Sequence, residues 1–158
     1  MKEKSKLNDL VYTVNPLPHS LLNFIFDFGS LKPEDEKKYI KNTVISLLNK
    51  IKIKIEEKIS DNELNNLQEE ILESIVICHD YIKTIYDKSS VSMREIRRFG
   101  KFFEYFISFF KGTTWSAYEK MKMSLNTTLY LCYYLRLNEK KYRKELELKL
   151  NKFYEKVF

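Results

Sequence analysis

Apolar residues recur along most of this chain at spacings of three and four, which places them on one side of an α-helix. One such stripe begins near Pro33, and others begin near residues 60, 92, 116 and 139. A shorter apolar run over residues 21–28 precedes them and ends at Gly29. Three glycines and three prolines leave long stretches without a helix breaker. The pattern predicts an all-α fold, a helical bundle of five to six helices.

The same spacing identifies the side of each long helix that we expect to be buried. For the helix from Pro33 these residues are Tyr39, Ile40, Val44, Leu47, Leu48, Ile51 and Ile55. For the next helix they are Leu64, Leu67, Ile71, Leu72, Ile75, Cys78, Ile82 and Ile85. For the helix after residue 92 they are Ile96, Phe99, Phe103, Phe106, Ile107 and Phe110.

Local signals predict where several helices begin and end. Residues 60–63 and 92–95 each have a serine followed three residues later by glutamate, the pattern of a capping box. Residues 111–114 (KGTT) break the fourth helix. The remainder predicts two helices, over roughly residues 116–137 and 139–157, with Asn138 as a candidate cap between them.

The N-terminal residues have a different composition from the rest. A polar lead is followed by a β-branched and aromatic run at residues 10–14, and Pro16 and Pro18 then hold the backbone extended. We therefore expect residues 1–18 to form a short extended arm. Residues 19–111 are predicted to form a helical bundle, and residues 112–158 a helical extension toward a following module.

The net charge of +6 does not by itself indicate a nucleic-acid-binding protein. Acidic and basic residues mostly alternate, a pattern typical of solvated helix faces with intrahelical charge pairs. The densest cationic stretches are residues 94–98 and 140–144. A solvated face is therefore the preferred interpretation, and a surface for nucleic acid or acidic lipid is the alternative. Nucleic-acid binding is not expected, and protein partners stay open.

The sequence lacks the motifs of several enzyme classes. No glycine lies in the frame of a phosphate-binding loop, and Cys78, Cys132, His19 and His79 do not form a four-ligand zinc set. His79 is followed by Asp80, but a third catalytic partner is missing, so this pair is interpreted as structural. The chain alone is thus not expected to be an ATPase or a RING-type ligase, to be catalytic, or to bind a metal or cofactor.

Targeting signals are also absent from the sequence. The first residues are polar, unlike a signal peptide, and no apolar run approaches the ~20 residues that span a bilayer. Two isolated cysteines within apolar runs are typical of buried free thiols. A cytoplasmic location without a membrane span is therefore expected.

Arg94 is the candidate functional residue. It lies in the first turn of a predicted helix, where backbone N–H groups and a guanidinium together suit an anion. The alternative, which the residues alone favour, is a surface arginine whose charge is offset by Glu95. A set of tyrosines is interpreted mainly as helix contacts, with a partner surface as the alternative: Tyr130, Tyr133, Tyr134, Tyr142 and Tyr154.

Three blocks, taken together in this order, resemble the mysterin family of giant proteins, which join a ring of AAA+ modules to a ubiquitin-ligase region. The first block contains residues 11–20 (VYTVNPLPHS), 26–31 (FDFGSL) and 36–40 (EKKYI). The second contains residues 90–98 (SVSMREIRR) and 102–106 (FFEYF). The third contains residues 131–137 (LCYYLRL) and 142–143 (YR).

The resemblance implies an AAA+ lid-like bundle that connects a nucleotide-binding subdomain to the next module. It also implies that Arg94 is the second-sensor arginine, which approaches nucleotide phosphate from the lid side. Glu95 stands where the family has aspartate, so the charge there is kept. Neither Walker motif nor the ligase region lies in this chain, so ATP with Mg²⁺ and ubiquitin transfer are implied only for the intact family protein. A stand-alone helical interaction module is the alternative.

Overall fold

Helices form the regular structure of the computed structural model, which describes residues 18–22, 24–25, 32–54, 59–87 and 90–151. The helices are α1 His19–Leu22, α2 Pro33–Lys54, α3 Asp61–Ile85, α4 Met93–Phe109, α5 Ala117–Cys132 and α6 Lys140–Asn151. Single 3₁₀ turns follow α4 at Phe110–Gly112 and α5 at Tyr134–Arg136. No strand occurs in those ranges. The prediction of an all-α bundle with five to six helices is therefore confirmed.

Helices α2 to α6 share one hydrophobic core. The most extensive helix contact joins α4 to α5, the next joins α2 to α3, and α3 also contacts α5 and α6. The predicted stripes supply much of this core: Ile40, Val44, Leu48, Ile51, Leu67, Ile71, Ile75, Ile82, Ile96, Phe99 and Phe103 are each at most 2% exposed. Such burial is the main stabilising contribution, because each large apolar side chain removed from water contributes about 1.5–3 kcal/mol. The predicted core residue Ile55 lies outside the described residues.

Three helices begin in the same way. Ser60, Ser92 and Ser116 cap α3, α4 and α5, and each forms a capping box with the glutamate three residues later. The first two boxes confirm the sequence prediction. In each box the serine and glutamate side chains bond backbone N–H groups that a helix start would otherwise leave unpaired.

Helix α5 ends earlier than predicted. The prediction of one helix over 116–137 is wrong, because α5 stops at Cys132 and Tyr133 turns fully into the core. A 3₁₀ turn then leads to Leu137, which is also buried and has extended backbone. No glycine or proline marks this break, so the tertiary burial of these two side chains determines it.

Asn138 does not cap α6. Its backbone N–H donates to the Tyr86 hydroxyl at 3.3 Å, and the carbonyl of Glu139 accepts from the N–H of Arg143 at 3.2 Å. The end of this helix predicted over residues 152–157 lies outside the described residues. No helix in the described ranges is long and apolar enough to cross a membrane.

The N-terminal residues form a separate unit that ends at Leu31. Within it α1 spans His19–Leu22, whereas a helix was predicted over residues 21–28. The predicted extended arm over residues 1–17 and the predicted stop at Gly29 lie outside the described residues. The division at residue 111 into a bundle and an extension stays a prediction, and helices on both sides of that point share one core.

Candidate functional site

The start of α4 contains the candidate residue Arg94. The carboxylate of Glu95 accepts from the backbone N–H of Ser92 at 2.8 Å, and the Ser92 hydroxyl accepts from the N–H of Arg94 at 3.3 Å. The N–H of Glu95 donates to the Ser92 carbonyl at 3.0 Å. The capping box therefore uses the amides that an anion at this helix start would otherwise bind. An anion here would have to be held mainly by side chains.

The Arg94 side chain is exposed and forms no ion pair within the described part of the chain. Glu95, which could offset its charge, instead lies 3.6 Å from the guanidinium of Arg136, measured from Oε1 to Nη1. An exposed arginine in a first helical turn opposes the positive end of the helix dipole, at a cost of about 0.3–1 kcal/mol. Arg94 therefore has no local structural partner that explains its position.

Glu95 links the start of α4 to the turn after α5. The other terminal nitrogen of Arg136, Nη2, donates to the backbone carbonyl of Ser90 at 2.9 Å. Burial raises the pKa of Glu95, but the hydrogen bonds from Ser92 and the charge of Arg136 outweigh it, so the net pKa is lowered. The ionised carboxylate is thus the stable form, and it ties two helix ends together.

Beyond Arg94, three further cations lie on the exposed side of α4: Arg97, Arg98 and Lys101. We call these four residues, Arg94 included, the basic stripe. No described carboxylate forms an ion pair with any of them, although Arg97 Nε lies 3.4 Å from the Tyr39 hydroxyl. The two acids of α4 bind elsewhere, Glu95 to Arg136 and Glu104 to Lys50 at 2.7 Å. The exposed side of this helix start therefore has a concentrated positive charge, which includes the dense cationic stretch 94–98 of the sequence and continues to Lys101.

The second half of α4 and the turn after it expose aromatic rings. Tyr105 and Phe109 are 60% and 66% exposed, and their rings stack at 6.4 Å. Phe109 contacts Phe110 edge-to-face at 5.3 Å, and Phe110 contacts Trp115 at 5.4 Å. We call this set, with Phe106, the aromatic ridge. The predicted stripe included Phe106 and Phe110, which are half-buried, whereas the exposure of Tyr105, Phe109 and Trp115 was missed.

A buried polar cluster lies between α2, α3 and the end of α5. Glu36 Oε1 lies 3.1 Å from Nδ1 of His79, and Nε2 of His79 lies 3.1 Å from the Tyr133 hydroxyl. Lys83 Nζ donates to the second oxygen of Glu36 at 2.5 Å. Glu36 lies in the first turn of α2, where acids commonly stabilise the helix dipole, but it is largely buried within this cluster.

The charge states of this cluster follow from burial. His79 is only 1% exposed, and burial lowers its pKa more than the hydrogen bond to Glu36 raises it. Burial raises the pKa of Glu36, but the hydrogen bonds from Lys83 and His79 outweigh this effect and lower it. A neutral imidazole can donate from Nδ1 to the Glu36 carboxylate while Nε2 accepts from Tyr133. Both ring nitrogens of His79 are then paired, with Glu36 and Tyr133 and not with the neighbouring Asp80.

The described residues contain no group of three or more metal-ligating side chains arranged to hold an ion. Cys78 and Cys132 are both buried free thiols, as the sequence indicated. Among the tyrosines predicted as helix contacts, Tyr133 is fully buried, Tyr134 and Tyr142 are half-buried, and Tyr130 is exposed. Tyr154 lies outside the described residues.

No protein-family model and no solved structure matches this chain. Two curated proteins do. The chain is 27% identical over 147 residues to E3 ubiquitin-protein ligase rnf213-beta of Danio rerio, which is 87% of this chain and 3% of that protein. It is 35% identical over 101 residues to E3 ubiquitin-protein ligase RNF213 of Homo sapiens, which is 63% of this chain and 2% of that protein.

The chain therefore matches only a very small fraction of the length of either relative. The alignments support the mysterin resemblance at a coarse level, because both relatives are RNF213 proteins and mysterin is another name for RNF213. The assignment of the matched stretch to an AAA+ lid stays a prediction. At the level that these comparisons reach, the chain is an all-α bundle that is similar in sequence to a short segment of the RNF213, or mysterin, proteins.

Proposed function

We propose that this chain is a lid-and-linker segment of a mysterin-like AAA+ ATPase and E3 ubiquitin ligase. The observation that carries the proposal is the alignment with the Danio rerio protein, which includes 87% of the chain but only 3% of the relative. A segment of that size is a module within a larger machine. In this role it has no catalytic activity alone, and it works in the cytoplasm beside a nucleotide-binding subdomain.

Two features of the structure support a role in transmitting movement. Helices α2 to α6 share one core, so a displacement at one end is passed on through packed side chains. The Glu95–Arg136 ion pair adds a direct connection between the start of α4 and the turn after α5. Nucleotide bound at a neighbouring subdomain would favour one position of the bundle, and the bundle would shift the next module.

Arg94 is proposed as the residue that contacts nucleotide. Its guanidinium is exposed and unpaired within the described ranges, so no internal bond has to break before it contacts a phosphate. Because the capping box occupies the nearby amides, the chain has no cradle of its own for phosphate. The phosphate-binding loop and Mg²⁺ would have to be supplied by the neighbouring subdomain. When bound there, ATP would supply the anion that Arg94 senses.

A chimeric protein tests this function. This chain would replace the matching stretch of human RNF213, and ATP turnover would be measured for the chimera and for its Arg94→Ala, Arg94→Lys and Lys144→Ala variants. We expect turnover to fall ~10-fold or more for Arg94→Ala, as for other groups that stabilise phosphoryl charge. Arg94→Lys would keep part of the activity, and the control Lys144→Ala would keep all of it. Unchanged turnover in Arg94→Ala would remove the sensor role.

A stand-alone helical interaction module is the second candidate, and the aromatic ridge favours it. Exposed aromatic rings are concentrated in protein–protein interfaces and supply much of their binding energy. If this candidate is correct, the chimera would lack ATP turnover whatever residue stands at position 94, and the isolated chain would still bind a protein partner.

A further inference from the structure

The exposed side of α4 changes character along its length. At 3.6 residues per turn, seven residues of α4 fall within an arc of about 140° around the helix axis. They are the four residues of the basic stripe and the aromatic residues Phe102, Tyr105 and Phe109. All of them are exposed. From Arg94 to Phe109 the helix extends about 22 Å at 1.5 Å per residue. One continuous helix face is therefore cationic in its first half and aromatic in its second.

The positive charge of the first half has no internal compensation. Glu95 and Glu104, the two acids of α4, are bound to Arg136 and to Lys50. No described carboxylate pairs with the basic stripe. Four like charges on one helix face repel one another, and an acidic partner would relieve this repulsion.

The aromatic half has the form of a ridge and lacks separate platforms. Tyr105 and Phe109 stack on each other, and Phe110 is in contact with both Phe109 and Trp115. Tyr105 and Phe109 are largely exposed, but they stack on each other and are not spaced as separate platforms for successive unstacked bases of a single-stranded nucleic acid. A continuous exposed edge of packed rings suits apolar side chains of another protein.

From this arrangement we infer that the outer face of α4 docks an acidic amphipathic protein helix. The partner helix would place aspartate and glutamate against the basic stripe, and leucine or aromatic side chains against the aromatic ridge. The charged half would set the orientation and speed of association, and the ridge would contribute most of the affinity. The inference does not depend on the lid proposal, because Arg97, Arg98 and Lys101 keep this face cationic whether or not Arg94 contacts nucleotide.

Synthetic peptides and the full chain provide the test. Two fluorescein-labelled 18-residue helical peptides are used. One has glutamate in its N-terminal half and leucine with phenylalanine in its C-terminal half, and the other has the two halves exchanged. Their binding is measured by fluorescence anisotropy. We expect one direction to bind with Kd below about 100 µM and to weaken as salt is raised. A version with glutamine in place of glutamate should bind ~10-fold more weakly.

Matched variants distinguish binding at this face from non-specific binding. The charge reversals Arg98→Glu and Lys101→Glu together, and Phe109→Ser alone, should each reduce affinity ~10-fold or more. The controls are Lys144→Glu and Leu148→Ser, which make the same kinds of change at exposed positions of α6. Circular dichroism confirms that each variant is folded.

Several results would overturn the inference. One is that neither peptide binds at 1 mM. Another is that the α4 variants and the α6 controls lose the same amount of affinity. Tighter binding of a 20-residue oligothymidine, or of vesicles containing phosphatidylserine, than of either peptide would identify a different class of partner. If the chimera lacked ATP turnover while the chain still bound the peptide, only the lid proposal would be contradicted.

Discussion

The hydroxyl of Tyr133 lies 3.1 Å from Nε2 of His79, and both side chains are almost fully buried. The residues are 54 positions apart, and their rings contact each other edge-to-face at 5.6 Å. Tyr133 is also the C-cap residue, directly after the end of α5 at Cys132. This one contact therefore joins α3 to the place where the chain leaves its fifth helix.

Removal of the Tyr133 hydroxyl should destabilise the fold. In Tyr133→Phe the ring packing is kept, but Nε2 of the buried His79 loses its partner, so we expect a loss of about 1–3 kcal/mol in the free energy of unfolding. Urea denaturation measures it. Tyr105→Phe, at an exposed tyrosine, is the control and should change stability by less than about 0.5 kcal/mol. Equal effects of the two changes would mean that the buried hydrogen bond contributes nothing.

Stability should fall as the solution is acidified below the ordinary pKa of histidine. Because burial lowers the pKa of folded His79 below its usual 6.5, the unfolded chain takes up the proton first and acid favours unfolding. Glu36 acts in the same direction at lower pH. Lys83 and His79 lower its pKa in the folded chain below the ordinary 4.5. Its stabilising contribution is therefore present above pH 4.5 and is lost as the pH falls through the pKa of the folded state.

The variant His79→Gln checks the histidine contribution. The free energy of unfolding would be measured from about pH 7.5 to about pH 5.5, the range in which unfolded histidine titrates. We expect a smaller slope in the variant than in the original chain. The same slope in both would show that His79 has a similar pKa in the folded and unfolded states.

The start of α4 should depend on its cap and not on Arg94. We expect Ser92→Ala to destabilise the chain by about 0.5–2 kcal/mol, because the capping box with Glu95 is lost. Arg94→Ala removes an exposed side chain with no ion pair in the described ranges, and should change stability by less than about 0.5 kcal/mol. Thermal unfolding of both variants compares them. A large loss in Arg94→Ala would indicate a structural role for that arginine.

Both cysteines should resist thiol reagents in the folded protein. Burial raises the pKa of Cys132 to about 11 and that of Cys78 further, and the reactive thiolate is therefore scarce as well as inaccessible. Reaction with a chromogenic disulfide should proceed no faster than unfolding. The variant Ser108→Cys adds a thiol at an exposed position as a positive control. Rapid labelling of an original cysteine would reveal local opening of α3 or α5.

The helices could be predicted because their signals are local. The capping boxes at Ser60 and Ser92 join residues three apart, and the apolar spacing of α2 and α3 repeats within each helix. The early end of α5 could not be predicted in this way. It depends on the contact of Tyr133 with a histidine in another helix, and nothing in the local sequence marks it.

The candidate site was predictable only in part, for two physical reasons. Periodicity placed Phe99 and Phe103 on the buried side of α4, but it gives no reason to expect Tyr105 and Phe109 as exposed rings on the opposite side. Glu36 lies in a first helical turn, where acids commonly stabilise the dipole, but its partners His79 and Lys83 are 43 and 47 residues away. Arg94 was correctly placed in the first turn of a helix, but its proposed role depends on a molecule outside this chain.

The three serine–glutamate boxes have a consequence for the order in which the chain acquires structure during synthesis. Each box needs only four consecutive residues and the first turn of its helix. Helical turns form in less than about a microsecond, whereas a ribosome adds about 5–20 residues each second. The first turns of α3, α4 and α5 can thus form on the nascent polypeptide before the residues that complete the core are translated.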